Sequence, residues 1–186
     1  LAISTFAALA EKHPFLRLVI VPRHPDRFDE VARLLDACGL RWQRRSKLKE
    51  TADSDGLKTR PTREAARILL VDTIGELGSW WGTAQIAYVG GSMGSRGGQN
   101  MIEPAAYGAA VSFGPKTSNF RDVVAQLLSA DAAEVVSDGD QLTDFVSRCV
   151  DDPTFASKLG ERARTLTIKQ AGATARTIDM VEPLLP

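Results

Sequence analysis

Residues 85–114 read QIAYVGGSMGSRGGQNMIEPAAYGAAVSFG, and they contain the pattern that decides the fold. An apolar run of strand length covers 85–91 and ends in two glycines, and a second such run covers 109–114. Between the runs a helix is expected to begin at Asn100, because Glu103 follows it at the spacing of a helix capping signal. Strand, helix and strand in this order predict a β–α–β unit with parallel strands.

The alternation of strand and helix continues on both sides of this unit. Further strands are expected at 15–21, 41–45, 66–73 and 132–137. Further helices are expected at 27–40, at 75–83, at 119–130 and from 138 to Leu185. Such alternation is typical of an α/β fold in which helices cover both faces of a parallel sheet. We therefore predict one doubly wound, Rossmann-like domain over residues 1–186, in which 172–186 form a helical C-terminal tail.

The composition is that of an ordinary globular domain. Of the 186 residues, 44% are hydrophobic and 25% charged. The formal net charge is zero, so no overall positive charge indicates a nucleic acid partner. Cys38 and Cys149 stand far apart and in no metal-ligand spacing. Between Arg41 and Arg63, however, eight Lys or Arg residues face three acids. This segment is either a solvated loop or a patch that faces a phosphorylated or membrane-bound substrate.

Two loops follow the first strands at their carboxyl ends, the edge where such sheets bind ligands. The first reads Pro22-Arg23-His24-Pro25. In it, the Arg23 guanidinium can grip an anion, and His24 is either a structural histidine or a ligand contact. In the second loop, Thr73 can cap the following helix with Glu76 as its partner. The amides around Gly75 can instead face a base or a phosphate, and the two readings are compatible.

The third loop is the longest, and it has five glycines within residues 90–98. Glycines let a backbone approach a ligand closely and turn its amides inward. The loop matches neither a dinucleotide-binding fingerprint nor a Walker A motif. Asn100 and Glu103 after it form either a capping box or a site in which the Glu103 carboxylate binds the paired hydroxyls of a ribose. In the fourth loop, 114–120, Lys116 is a mobile cation, and Ser118 or Asn119 is expected to cap the next helix.

Taken together, these motifs resemble the carboxyl-terminal domain of 3-deoxy-D-manno-octulosonic acid (Kdo) transferases. The resemblance runs from about residue 15 onward and rests on PRHPDRF (22–28), VDTIGEL (71–77), YVGGS (88–92), RGGQNMIEPAAYG (96–108) and FGPKTSNF (113–120). The Gly-Gly-x-Asn-x-x-Glu-Pro element at 97–104 is its most specific part. A similar acidic element occurs in other glycosyltransferases with two facing Rossmann-like domains (GT-B), so it indicates the architecture more firmly than the sugar.

The resemblance implies a donor-binding half of a glycosyltransferase in lipopolysaccharide biosynthesis, with CMP-Kdo as donor and a lipid A precursor as acceptor. It places the CMP site at Pro22, Arg23, Gly75, Glu76, Leu77, Asn100, Met101, Ile102 and Glu103. Further possible donor contacts are His24, Ser92, Arg96, Gly97, Gly98 and Lys116. Of these, Arg23, Arg96 and Lys116 can hold the charge of the phosphate. No cofactor and no metal are expected, and no nucleic acid partner.

The family also has an amino-terminal domain that carries the acceptor site, a membrane anchor and the proposed general base. The resemblance therefore implies that this chain alone is soluble and inactive, that its catalytic base lies elsewhere, and that the 172–186 tail crosses to that domain. The whole protein is expected at the cytoplasmic face of the bacterial inner membrane. The chain departs from the family at Gln99, commonly His, and at Ile74, commonly Met. Two alternatives stay open: a UDP-sugar transferase or epimerase of the same fold, and a nucleotide-binding module without chemistry.

Overall fold

The structure, a computed structural model, describes residues 1–52 and 66–171. The chain divides into two compact units, Leu1–Trp80 and Trp81–Pro186, and each is described by itself. The basic segment between Arg41 and Arg63 is therefore described only up to residue 52, and the predicted tail at 172–186 lies outside the described residues.

The first unit is built on a parallel sheet of three strands. The helices are α1 (Ala2–Leu9), α2 (Phe28–Ala37), α3 (Arg45–Ala52) and α4 (Leu77–Trp81), with a 3-10 turn at Pro25–Arg27, and the strands are β1 (Leu18–Ile20), β2 (Trp42–Arg44) and β3 (Ile68–Leu70). The strand order is β1-β3-β2, with both outer strands parallel to β3. Ile68 and Leu70 of β3 are buried against Phe6 of α1 and Leu35 of α2. The central strand is thus the most apolar one, as the continuous run at 66–73 predicts.

The second unit repeats this plan. Its strands are β4 (Ile86–Val89), β5 (Ala110–Phe113) and β6 (Ala133–Val135), and its helices are α5 (Ile102–Ala106), α6 (Arg121–Ser129), α7 (Gly139–Asp151) and α8 (Pro153–Ala171), with a 3-10 turn at Ser118–Phe120. The order is β4-β5-β6, again all parallel. All four residues of β5 are buried. Parallel strands with flanking helices in both units confirm the predicted α/β, Rossmann-like fold class.

Helix α8 packs closely on the turn that follows α5. An added Cβ at Gly160 would collide with the carbonyl oxygen of Gly108, so only glycine fits there. Ala163, one turn further along α8, is fully buried in the core of the second unit. Two small residues therefore let the long helix lie against α5 and β5, which fixes the end of the β–α–β unit.

The structure differs from the sequence predictions in the ends of several elements and at Arg45–Ala52, where helix α3 takes the place of the expected loop. The helix expected to begin at Asn100 begins at Ile102, and the continuous helix expected after 138 is interrupted between Asp151 and Pro153. Proline disfavours helical backbone in the residue before it and suits the first turn of a new helix, which explains that break. The single-domain prediction for residues 1–186 stays a prediction. None of the helices in the described ranges combines the length and apolarity needed to cross a membrane.

Candidate functional site

The glycine loop, residues 90–98, has a conformation that its sequence enforces. Gly91, Gly97 and Gly98 have φ values of +75°, +75° and +84°, a region that L side chains rarely adopt. The Gly98 amide donates a hydrogen bond to the Gly91 carbonyl at 3.0 Å and closes the loop on itself. The glycines therefore shape the backbone between β4 and α5, as the loop composition predicts.

Asn119 ties the 114–120 segment to the glycine loop. Its backbone amide donates to the Gly97 carbonyl at 3.0 Å, and its side-chain Nδ2 donates to the Arg96 carbonyl at 2.9 Å. The prediction that Ser118 or Asn119 caps the next helix is wrong, because α6 begins at Arg121 without a side-chain cap. The Asn119 amide group donates to loop carbonyls instead, so it holds the 114–120 segment to the glycine loop.

Ser92 makes a second connection between the same two segments. Its side chain is fully buried, and its hydroxyl donates to the Val89 carbonyl and accepts from the Gly114 amide, both at 2.7 Å. The Lys116 amide donates to the Ser92 carbonyl at 2.8 Å. Ser92 therefore holds the start of the glycine loop against the residues after β5, and its role as a donor contact stays a prediction.

Asn100 and Glu103 interact through their side chains at the start of α5. Asn100 Oδ1 accepts from the Ile102 amide at 3.0 Å, and Asn100 Nδ2 donates to Glu103 Oε1 at 3.0 Å. The capping-box interpretation is thus corrected, because Glu103 binds the side-chain amide of Asn100 and not its backbone amide. Glu103 Oε2 contacts no hydrogen-bond donor within the part of the chain that the structure describes. The arrangement orients a half-buried carboxylate and leaves one of its oxygens open.

The other two residues of this element differ in what they can offer. The Met101 side chain is fully buried in the core of the second unit, so only its backbone can reach a ligand. Ile102 is half-buried and gives its amide to Asn100. The predicted contact of Met101 with CMP therefore concerns its main chain, whereas Ile102 keeps a partly exposed side chain.

A depression of about 400 Å³ opens beside the glycine loop. Gly94, Ser95 and Gly97 form one wall, and 115–118 with Arg121 form the other. Lys116 and Arg121 are exposed, and neither forms an ion pair with an acid in the described residues. Arg96 is likewise exposed and without an acidic partner there. This side of the second unit is therefore positive and can attract an anion.

In the first unit, the predicted loops leave the sheet at one edge. Ile20 of β1 pairs in register with Leu70 of β3, so the loops after these parallel strands start side by side. Arg23 and His24 are exposed, and His24 precedes the 3-10 turn without capping it through its side chain. Pro22 is half-buried beside them. The sheet thus brings the Arg23 loop and the 72–77 loop to a common edge.

Asp72 holds the second of these loops to the start of α3. Its side chain is only 6% exposed. Oδ1 accepts from the Ser46 amide at 2.9 Å, and Oδ2 accepts from the Ser46 hydroxyl at 2.7 Å and from Arg44 at 3.4 Å. Burial alone would raise the pKa of Asp72, but the hydrogen bonds from Ser46 and Arg44 outweigh it and hold this pKa below its ordinary value. The sequence analysis included Asp72 in the VDTIGEL motif (71–77) but gave no role to it or to Ser46.

Glu76 belongs to the same connection and does not cap α4. Its Oε2 accepts from Arg45 Nε at 3.0 Å, with about a quarter of each side chain exposed. The Thr73 hydroxyl oxygen is buried without a hydrogen-bond partner in the described ranges, so the predicted Thr73–Glu76 cap is wrong. Gly75 has φ +86°, which glycine accommodates, and Leu77 opens α4 half-exposed. The predicted donor residues Gly75 and Glu76 therefore lie in one loop that leads into Leu77 of α4, and Arg45 of α3 holds Glu76.

Each unit thus gathers its own share of the predicted residues. The first holds Pro22, Arg23 and His24 beside Gly75, Glu76 and Leu77, and the second holds Ser92, Arg96, Gly97, Gly98 and Asn100 to Glu103 beside Lys116. In the described parts of the chain, no group of three or more His, Cys, Asp or Glu side chains is placed to hold a metal ion.

Comparison with curated proteins relates the chain to one enzyme family. It is 36% identical over 184 residues to a 3-deoxy-D-manno-octulosonic acid transferase of Bordetella pertussis, which covers 99% of this chain and 41% of that protein. A protein of the same name from Haemophilus influenzae is 33% identical over 179 residues, 96% of this chain and 39% of that protein. The chain thus spans about two fifths of the length of these relatives. No protein-family model matches it.

Solved structures show the same relationship. The C-terminal CMP-Kdo binding domain of WaaA from Acinetobacter baumannii matches with a TM-score of 0.77 and 27% identity, over 89% of this chain and 80% of that one. The C-terminal domain of a group 1 glycosyl transferase (LpcC) from Francisella tularensis shares the fold, with a TM-score of 0.59 and 15% identity over 91% of this chain and 76% of that one. The predicted resemblance is therefore confirmed: in sequence and in fold, this chain corresponds to the carboxyl-terminal domain of the Kdo transferase family.

Proposed function

We propose that this chain is the donor-binding domain of a Kdo transferase and binds CMP-Kdo. The whole protein would transfer Kdo to a lipid A precursor in lipopolysaccharide biosynthesis, at the cytoplasmic face of the bacterial inner membrane. The observation that carries the proposal is the Glu103 carboxylate, oriented by Asn100 and open at Oε2, in the element most specific to the family. The name of the solved CMP-Kdo binding domain supports the identity of the ligand.

The chemistry of a CMP-sugar fits the groups of this site. The two ribose hydroxyls are hydrogen-bond donors, and a carboxylate offers acceptors to both. Oε2 accepts one hydroxyl, and Oε1 has a second lone pair beside its bond to Asn100 for the other. Among the groups of the second unit, Arg96 can supply positive charge for the phosphate as it leaves the sugar. For the first unit, the proposed contacts of Arg23, Gly75 and Leu77 with the nucleotide rest on the family resemblance.

The acceptor and the general base would come from the part of the relatives that this chain does not cover. Displacing CMP from the anomeric carbon requires a base on the opposite face of the sugar from the leaving group. A donor domain of a two-domain cleft does not supply it. We therefore propose that this chain binds donor and does not transfer Kdo alone, so transfer to a lipid A precursor above the rate without enzyme would contradict the proposal.

A thermal-shift titration with CMP, UMP and AMP tests nucleotide binding directly. A ligand that binds only the folded state adds about 2.7 kcal/mol of stability at 100 times its Kd. We expect CMP to raise the melting temperature more than UMP or AMP does. A larger shift with UMP would favour a UDP-sugar enzyme, and no shift with any of the three would refute the nucleotide site.

The variant Arg23→Ala extends this test to the first unit. Arg23 is exposed and supports no core, so its loss should reduce the CMP shift and leave the melting temperature of the ligand-free chain unchanged. Arg33→Ala, which removes another exposed Arg of the same unit, is the matched control and should leave the CMP shift intact. If Arg23→Ala lowered the melting temperature equally with and without CMP, Arg23 would be a structural residue.

A further inference from the structure

We infer that the depression beside the glycine loop binds the carboxylate of the sugar acid in the donor, an inference that rests on the proposed function. The inference adds Arg121 and Ser118 to the predicted site residues and assigns Lys116 to the sugar and not to the phosphate.

The first argument is the shape of the depression. Its volume of about 400 Å³ lies within the roughly 300–1,000 Å³ typical of small-molecule sites, and it is larger than a single phosphate group requires. One wall belongs to the glycine loop, which leads directly into Asn100 and Glu103. The same loop therefore belongs both to the wall of the depression and to the segment that precedes the proposed ribose site.

The second argument is the charge of the lining. Lys116 and Arg121 contribute its two charged groups, and no acidic residue lines it among the described residues. Asp122 follows Arg121 in the chain, but no ion pair joins the two in the described structure. An arginine guanidinium matches a planar carboxylate with two parallel hydrogen bonds, and the Ser118 hydroxyl can donate a third. Two cations with open donors beside a hydroxyl are suited to a carboxylate.

The third argument is that the lining is held in place. Asn119 lies between Ser118 and Phe120 and binds the carbonyls of Arg96 and Gly97. The Lys116 amide binds the Ser92 carbonyl at 2.8 Å. The backbone that carries Lys116 and Ser118 is thus fixed to the glycine loop before any ligand arrives. Such preorganisation lowers the entropy cost of binding.

The donor of the proposed function carries two anions, a phosphodiester and the sugar carboxylate, whereas CMP carries a phosphomonoester and no carboxylate. Calorimetric titrations of CMP and CMP-Kdo into the parent chain, Arg121→Gln, Lys116→Gln and Arg121→Lys separate the two. We expect either Gln variant to lose roughly tenfold or more in affinity for CMP-Kdo, the size of a lost charged hydrogen bond, with CMP affinity unchanged. Arg121→Lys keeps the positive charge, so its loss of affinity for CMP-Kdo should be smaller than that of Arg121→Gln.

Lys158→Gln is the matched control, because Lys158 is an exposed lysine of the same unit outside this depression. It should change neither affinity, and melting curves should show all variants folded. Equal losses for CMP and CMP-Kdo would overturn the inference by assigning the depression to the phosphate, and no loss for either ligand would overturn it as well. A parent chain that binds neither ligand would instead refute the proposed function itself.

Discussion

Asn100 Nδ2 donates a hydrogen bond to Glu103 Oε1 at 3.0 Å, while Asn100 Oδ1 accepts from the amide that opens α5. One asparagine thus fixes the start of the helix and the direction of the carboxylate together. Because the amide bonds only Oε1, Oε2 of Glu103 stays open in the described structure. The carboxylate is thereby prepared for a ligand by a local interaction that requires no ligand to form.

The variant Glu103→Gln tests the role of the carboxylate. Gln keeps one oxygen for Asn100 but replaces the open oxygen with an amino group, which cannot accept a ribose hydroxyl. We expect CMP binding to weaken by about 1.5–3 kcal/mol, with little change in the free energy of unfolding. Calorimetry and urea melts measure the two quantities. Glu161→Gln on α8 is the control, and unchanged CMP affinity in Glu103→Gln would reduce Glu103 to a structural residue.

The variant Gly97→Ala tests the fixed shape of the glycine loop. Gly97 has φ +75°, and an added Cβ would lie 2.6 Å from Asn119 Oδ1. We expect the free energy of unfolding to fall by about 1–3 kcal/mol from backbone strain, together with weaker CMP binding. Gly94→Ala is the matched control, since nothing lies within 4 Å of its added Cβ and its φ is not positive. Equal urea melts for the two variants would contradict this account.

The Arg45–Glu76 pair makes a prediction about coupling. Their partly exposed ion pair should contribute only about 0.2–1 kcal/mol to stability. If Glu76 acts by holding the 72–77 loop, Arg45→Gln and Glu76→Gln should weaken CMP binding to the same extent, and the double variant no further. A double-mutant cycle of CMP affinity measures this. A larger loss for Glu76→Gln that persists in the Arg45→Gln background would show that the carboxylate contacts CMP directly.

Asp72 predicts a pH dependence of stability. Its pKa in the folded chain lies below the ordinary value of 3.8, so the folded state binds its proton less tightly than the unfolded state does. The stabilising contribution is therefore complete above that ordinary value and is lost as the pH falls through the lower folded pKa.

Asp72→Asn should lower the free energy of unfolding by about 1–3 kcal/mol at neutral pH, the cost of weakening bonds to a buried charged group. It should also flatten the decline of stability below pH 3.8. Urea melts across the acid range compare it with Asp144→Asn, an exposed carboxylate on α7. A parent and an Asp72→Asn variant with parallel pH profiles would be inconsistent with the assigned role.

Apart from helix α3, which lies where a polar loop was expected, the order and type of the described elements were predictable from the amino-acid pattern alone. All six strands of the described ranges lie inside the predicted runs, from Leu18–Ile20 within 15–21 to Ala133–Val135 within 132–137. The spacing of apolar residues follows which side chains of an element are buried, so it can be read from a short stretch of sequence. The glycine loop was predictable for the same reason, because the positive φ at Gly97 depends only on having glycine at that one position.

The partners of the polar side chains were decided only in three dimensions. Asp72 meets Ser46 across 26 positions of sequence, and Arg45 meets Glu76 across 31. Thr73 and Asn119 are residue types that favour helix N-caps, and each precedes a helix in sequence, yet neither caps a helix in the described structure. A short polar side chain can satisfy its hydrogen bonds locally or across the sheet edge, and strand register determines which donors come within reach. The hydrogen-bond partner of such a side chain depends on tertiary packing, so it cannot be predicted from the spacing of residues along the chain.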